Sequence, residues 1–186
     1  MGIEASYRRI TPAQWEEVQG LVVTDDSPAG YSSEEAYVEF AYSDEFMSSD
    51  RFLSIEKEWH ALHALLTGDL RVPDVSSPLA IEHSPLLGNV VMGGAETQFD
   101  ATYGKVRILA PDEVRQVADA LGKITADDLK ARFDPVAFAE AGIYPIGAAS
   151  RWAEEDLGVL LFFYPQLVDF FGKAAREGNI VLLSFD

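Results

Sequence analysis

Trp59-His60-Ala61-Leu62-His63-Ala64-Leu65-Leu66-Thr67-Gly68 is the stretch from which the fold is read most directly. Together with Ile55, the residues Trp59, Leu62, Leu65 and Leu66 recur at intervals of three and four. That spacing predicts a helix over 54–67 with one apolar stripe. Gly68 stands where a helix ends in a left-handed residue.

Working back toward the N-terminus, Ile3, Ala5, Tyr7 and Arg9 alternate with Glu4, Ser6 and Arg8, the period of a strand. Thr11-Pro12 then supplies an N-cap and a proline at the first helical position, predicting a helix over 12–22. Trp15, Val18, Leu21 and Val22 form its apolar side. Ser33 before Glu34-Glu35 caps a short helix whose inner side is Tyr37, Phe40 and Ala41. Met1-Gly2 with Ser6 matches an N-myristoylation pattern, but the alternation over the same residues favours a strand.

Toward the C-terminus, a Pro-, Ser- and Gly-rich loop follows Gly68, and 102–109 reads as a strand. Pro111-Asp112-Glu113 opens a helix to Leu121, which Gly122 ends. Thr125 and Asp128 form a capping box for a helix to Arg132, and 135–141 adds another turn or two. The stretch 157–171 is very apolar and helical, with Pro165 either kinking it or starting a new helix. Gly178 ends the last helix, and 180–185 reads as a buried strand. Helices with a few scattered strands define α+β: a small mixed or antiparallel sheet packed against several helices, in a single domain over 1–186.

Charge and composition narrow the functional classes. The 186 residues carry 31 acidic and 14 basic side chains, for a net charge of −17. Such a chain repels nucleic-acid phosphates and anionic membrane surfaces, so neither is expected as a partner. The absence of cysteine excludes disulfides, thiolate metal sites and Cys nucleophiles, and suits the cytoplasm. The longest strongly apolar run, 157–164, is far shorter than the roughly 20 residues of a membrane span. No phosphate loop, nucleophile elbow, zincin helix or dinucleotide fingerprint is present, and no cofactor is expected.

Two regions carry candidate chemistry. His60 and His63 share one side of the 54–67 helix, and Glu56 lies one turn before His60. The three could converge on a metal, against the plainer reading of a Trp59/His63 packing cluster. A lone His83 in the Pro/Ser loop could act as a base, although isolated loop histidines usually do not. Tyr144-Pro145 marks a rigid turn whose hydroxyl could meet a ligand or satisfy nearby backbone. The second region is the stretch 24–50. Between Arg9 and Arg51 there is no Lys or Arg, and the interval holds Glu16, Glu17, Asp25, Asp26, Glu34, Glu35, Glu39, Asp44, Glu45 and Asp50. Tyr31, Tyr37, Phe40, Tyr42 and Phe46 are threaded through it. Carboxylates with aromatics steer and hold a basic protein, whereas a solvated face with its aromatics docked on the core needs no partner.

The motif of Trp59, Leu62-His63 and Leu66-Thr67-Gly68 resembles the signature helix of the bacterial YfbM-like family, in which the position of His60 is not fixed. Further stations are similar: Pro78-Leu79, Tyr103-Gly104 through Ile108, Pro111-Asp112-Glu113-Val114, Ala120-Leu121, Ile143-Tyr144-Pro145 and Gly178-Asn179. The stretch 24–50 has no clear counterpart and reads as an elaboration. The resemblance implies an α+β fold of unknown function and brings no catalytic residues with it. Its polar stations are His63, Thr67 and Tyr144, which are expected to share a pocket if the protein binds a small molecule or is an enzyme. The leading expectation is an acidic cytoplasmic interaction module, an inhibitor or antidote of a basic partner.

Overall fold

The structure, a computed structural model, describes residues 2–20, 33–71, 75, 85–146 and 151–186. Its centre is a five-stranded antiparallel sheet in the order β2-β1-β5-β4-β3. The strands are β1 (Ala5–Ile10), β2 (Phe52–Ser54), β3 (Ala95–Asp100), β4 (Lys105–Leu109) and β5 (Ile180–Phe185). The helices before β3 are α1 (Pro12–Gly20), α2 (Ser33–Ala41), α3 (Asp44–Met47), α4 (Trp59–Thr67) and α5 (Pro85–Gly88). Those after β4 are α6 (Pro111–Leu121), α7 (Ala126–Arg132), α8 (Pro135–Glu140) and α9 (Leu157–Glu177).

The two central strands, β1 and β5, are buried along their whole length, so both sides of the sheet are covered. Their register pairs Tyr7 with Leu183 and Arg8 with Leu182. Because successive side chains alternate across a strand, Ala5, Tyr7, Val181, Leu183 and Phe185 face one way, into the larger core. There they meet Leu62 and Leu65 of α4, Val114 and Val117 of α6, and Phe170 and Phe171 of α9. Ile10, Ile180 and Leu182 face the other way. They pack with Val18 of α1, Tyr37 and Ala41 of α2, Phe46 of α3, and Phe99 and Val106 of the sheet. The aromatics of 33–50 therefore close the second side of the sheet.

Local signals placed several elements. Thr125 Oγ1 accepts the Asp128 amide at 3.1 Å while the Asp128 carboxylate accepts the Thr125 amide at 2.7 Å, completing the capping box of α7. Gly68 and Gly178 end α4 and α9 with φ of 76° and 67°. Other elements differ from the sequence expectation. The helix expected over 54–67 opens as a 3-10 turn over Glu56–Glu58 and is α-helical from Trp59, because Ser54 pairs with Ser6 in the sheet and Glu56 turns the chain at φ 50°. The strand expected over 102–109 begins at Lys105. β2 is too short, and β3 too polar at the sheet edge, to announce itself.

The 157–171 segment runs on unbroken as the 21-residue α9, with Pro165 inside it. Pro165 lies on the exposed side, where the carbonyl it deprives of an amide can face water. This continuity makes 154–177 long and apolar enough, by length and composition, to cross a membrane. Its apolar side, Leu160, Phe163, Leu167, Phe170, Phe171 and Ala174, is instead buried in the larger core. Leu21 and Val22, the Ser33 side chain, Pro78-Leu79 and His83 lie outside the described residues. Ser6 of the myristoylation pattern lies within β1.

Candidate functional site

α4 is buried over all nine residues, so its polar side chains must find partners inside the protein. His60 does so completely. Its Nδ1 accepts the Tyr144 amide at 3.1 Å, which leaves Nε2 protonated to donate to the Arg71 carbonyl at 3.1 Å. Burial pulls its pKa below the usual histidine value, so the ring is neutral. It also stacks on Trp59.

His63, one turn on, differs. It is 1% exposed, and neither ring nitrogen has a hydrogen-bond partner among the described residues. Burial pushes its pKa down from 6.5 to about 4, against the pull of the nearby Asp69 carboxylate. Thr67 is committed to the end of α4: its hydroxyl donates to the His63 carbonyl at 2.7 Å and accepts the Asp69 amide at 3.0 Å. Asp69 in turn accepts Arg71 Nε at 2.9 Å and Nη2 at 2.5 Å. Those bonds hold its carboxyl down at about 2.

Tyr144 leans its ring on Trp59 with centroids 5.6 Å apart, and its hydroxyl has no partner among the described residues. Backbone contacts thus tie Tyr144 to His60 and Thr67 to His63. The imidazole of His63 and the two hydroxyls are not gathered at one described cavity. Clefts lined by described residues lie elsewhere, at Glu58, Pro145 and Trp152 (about 130 Å³) and at Leu121, Tyr164 and Asp169 (about 410 Å³). Glu56 is exposed while both histidines are buried. Among the described residues no three His, Asp or Glu side chains gather as metal ligands.

The sequence reading missed a second polar centre, on the opposite side of the sheet. Arg8 is fully buried there. Its Nε donates to the Ala41 carbonyl at 2.7 Å, and Nη1 donates to Ser6 Oγ at 3.1 Å and Tyr37 Oη at 3.3 Å. Ser6 and Ser184 share a hydrogen bond of 3.0 Å, and Ser184 donates to Asp186 Oδ2 at 2.8 Å. A chain of hydroxyls thus links the buried guanidinium to a carboxylate at the surface. Tyr42 covers the assembly: its ring centroid is 4.7 Å from the guanidinium carbon, and its hydroxyl donates to Asp186 Oδ2 at 3.4 Å. The available signal was a pair of polar positions, Ser6 and Arg8, alternating within a strand that is buried on both sides.

Above this centre lies the acidic helical layer. Tyr37, Ala41 and Phe46 point inward, while Val38, Tyr42 and Met47 remain 43–46% exposed. Glu16 and Glu17 of α1, Glu39 of α2 and Asp44 of α3 are exposed as well. Two carboxylates of the region are structural. Glu45 pairs with Arg51 at 2.6 Å, and Asp50 pairs with Arg9 at 3.1 Å and Lys173 at 3.0 Å.

An open five-stranded antiparallel sheet with helices on both sides, and no assembled catalytic constellation among its described residues, defines an α+β protein whose chemistry the fold alone does not name. The chain belongs to the family described as a domain of unknown function (DUF1877), whose model matches residues 1–184. Among solved structures it is similar to a protein of unknown function, YfbM from Escherichia coli. The TM-score is 0.66 and the identity 18%, over 98% of this chain and 99% of that one. At that identity the likeness shows a shared fold. No curated protein matches the chain.

Proposed function

We propose that this protein is an acidic cytoplasmic interaction module that binds a basic protein partner, acting as its inhibitor or antidote, through the outer side of α1, α2 and α3. One observation carries the reading. These three helices and the residue after α2 carry the exposed apolar or aromatic Val38, Tyr42 and Met47 and the exposed carboxylates Glu16, Glu17, Glu39 and Asp44, and they contain no Lys or Arg. Apolar side chains supply contact area, and unpaired carboxylates supply steering and selection against acidic partners. The absence of cysteine is compatible with the cytoplasm.

The test is capture of partners from host lysate across a salt series. It compares wild type with a variant carrying Glu16→Gln, Glu17→Gln, Glu39→Gln and Asp44→Asn. Glu45 and Asp50 are left intact because their ion pairs belong to the fold. The reading expects a basic protein that wild type retains at low salt, loses at high salt, and that the variant fails to retain. Equal retention by both forms sinks it.

A second reading is supported by His63: a small-molecule site or active centre built on this residue, whose two buried ring nitrogens have no described partner, rather than on a pocket shared with the Thr67 and Tyr144 hydroxyls. Buried polar atoms without partners are uncommon, and such atoms occur here at both His63 and Tyr144. A ligand or metal donating to or accepting from His63 would raise the melting temperature, and His63→Ala would abolish the rise. A melting temperature unmoved by zinc, nickel and a metabolite panel removes this reading.

A further inference from the structure

We propose that Tyr42 is a preorganised anchor of the acidic face, fixed from beneath by the buried Arg8 network, and that its occupant is a basic amphipathic helix of a partner protein. The inference rests on the interaction reading above and adds the anchor residue and the shape of the partner.

An exposed tyrosine ordinarily samples several rotamers, and fixing it on binding costs entropy. Tyr42 is 43% exposed yet its side chain is held at two points, and the residue before it at a third. Its ring lies over the Arg8 guanidinium, with the centroid 4.7 Å from the guanidinium carbon. Its hydroxyl donates to Asp186 at 3.4 Å. The backbone immediately before it is clamped, because Arg8 Nε donates to the Ala41 carbonyl at 2.7 Å. Arg8 is itself buried, bonded through Nη1 to Ser6 and Tyr37 and flanked by the Phe52 ring at 5.1 Å, with Nη2 lacking a partner among the described residues. A buried charge with a hydroxyl relay is a costly way to fill a sheet surface that apolar residues could fill. What it provides here is a rigid aromatic at the surface, and rigid aromatics dominate binding energy at interfaces.

The surroundings of Tyr42 select the occupant. Val38 lies one helical turn earlier, with the Tyr42 amide donating to the Val38 carbonyl at 3.0 Å, so the two side chains form one exposed ridge. Glu39 and Asp44 flank that ridge, and both are exposed. A short apolar ridge with carboxylates beside it complements a helix whose apolar residues recur every three or four positions between lysines. A second copy of this chain, itself carrying −17, is repelled from the same face.

The probe is a synthetic Lys/Leu peptide that forms an amphipathic helix, compared with a scrambled peptide of the same composition and charge. Binding of each is measured by calorimetry at low and high salt. Wild type is expected to bind the amphipathic peptide with one-to-one stoichiometry and to prefer it to the scrambled one by about tenfold or more. Tyr42→Ala should remove most of that preference. Tyr42→Phe, which keeps the ring and loses the Asp186 bond, should remove part of it. Val38→Ser should weaken the amphipathic peptide alone. Should Tyr42→Ala melt early, Tyr42→Phe and Val38→Ser decide between the outcomes. Equal binding of the two peptides, or no effect in these variants, overturns the anchor while leaving charge-driven binding intact. If the variant at Glu16, Glu17, Glu39 and Asp44 binds both peptides as wild type does, the interaction reading itself fails.

Discussion

The two sides of the sheet solve the same packing problem with different materials. One side is closed by α4, α6 and α9 through a large apolar core, with the two histidines and the buried Arg9 and Arg107 among its polar inclusions. The other is closed by α1, α2 and α3 through a smaller apolar cluster, with Arg8 and its hydroxyl relay as the inclusion. The first side commits its side chains to stability. The second keeps exposed side chains and carboxylates outward, and its buried charge holds one of them still. A charge-rich stretch can thus be core and surface at once, with residues of the same helix buried on one side and exposed on the other.

The contrast between the sides breaks first, and by the largest amount, in the apolar core. Phe171→Ala, at a fully buried ring of α9, should cost about 3–5 kcal/mol in chemical denaturation. Arg8→Ala should cost nearly as much, about 3 kcal/mol, because it takes the guanidinium donor from the buried Tyr37 hydroxyl and the Ala41 carbonyl and leaves a cavity. A loss below about 1 kcal/mol would mean that the relay adds little to the fold.

Acidification separates the two sides. His63 has a folded-state pKa of about 4 against an ordinary 6.5, so the unfolded chain takes up its proton first as pH falls. This group should therefore take nothing from the stability above pH 6.5. It should lose about 3 kcal/mol through this group as pH drops toward 4. His63→Leu should abolish that loss. At neutral pH it should leave stability equal or higher, since it removes two buried nitrogens without described partners. A steep loss between pH 6.5 and 4 that persists in His63→Leu would place its cause elsewhere. The smallest effect belongs to the outer carboxylates: neutralising Glu16, Glu17, Glu39 and Asp44 should change stability by no more than about 0.5 kcal/mol per site.

The sequence announced what local chemistry decides. The proline at position 111, the Thr125 box and the glycines at 68 and 178 each fix a boundary through neighbours in the chain, and the structure places them accordingly. β2 and β3 could not be read, because their strand character comes from pairing with β1 and β4 rather than from their own residues. Ser54 looked helical for the same reason in reverse. The histidines were visible on α4, but which had partners depended on Tyr144 and Arg71, distant in sequence or beyond the helix end. The Arg8 centre was hidden most completely. It joins positions 6, 8, 42, 184 and 186, which only the β1–β5 pairing and the packing of α2 bring together.

The most direct test of the central claim, that the outer side of α1 to α3 is a docking face, is amide hydrogen exchange on the complex with the captured partner. The account predicts slowed exchange concentrated in 12–20 and 33–47 relative to the free protein, with α4 and α9 unchanged. Slowed exchange around His63, or along the exposed side of α9, with 33–47 unaffected, would contradict it.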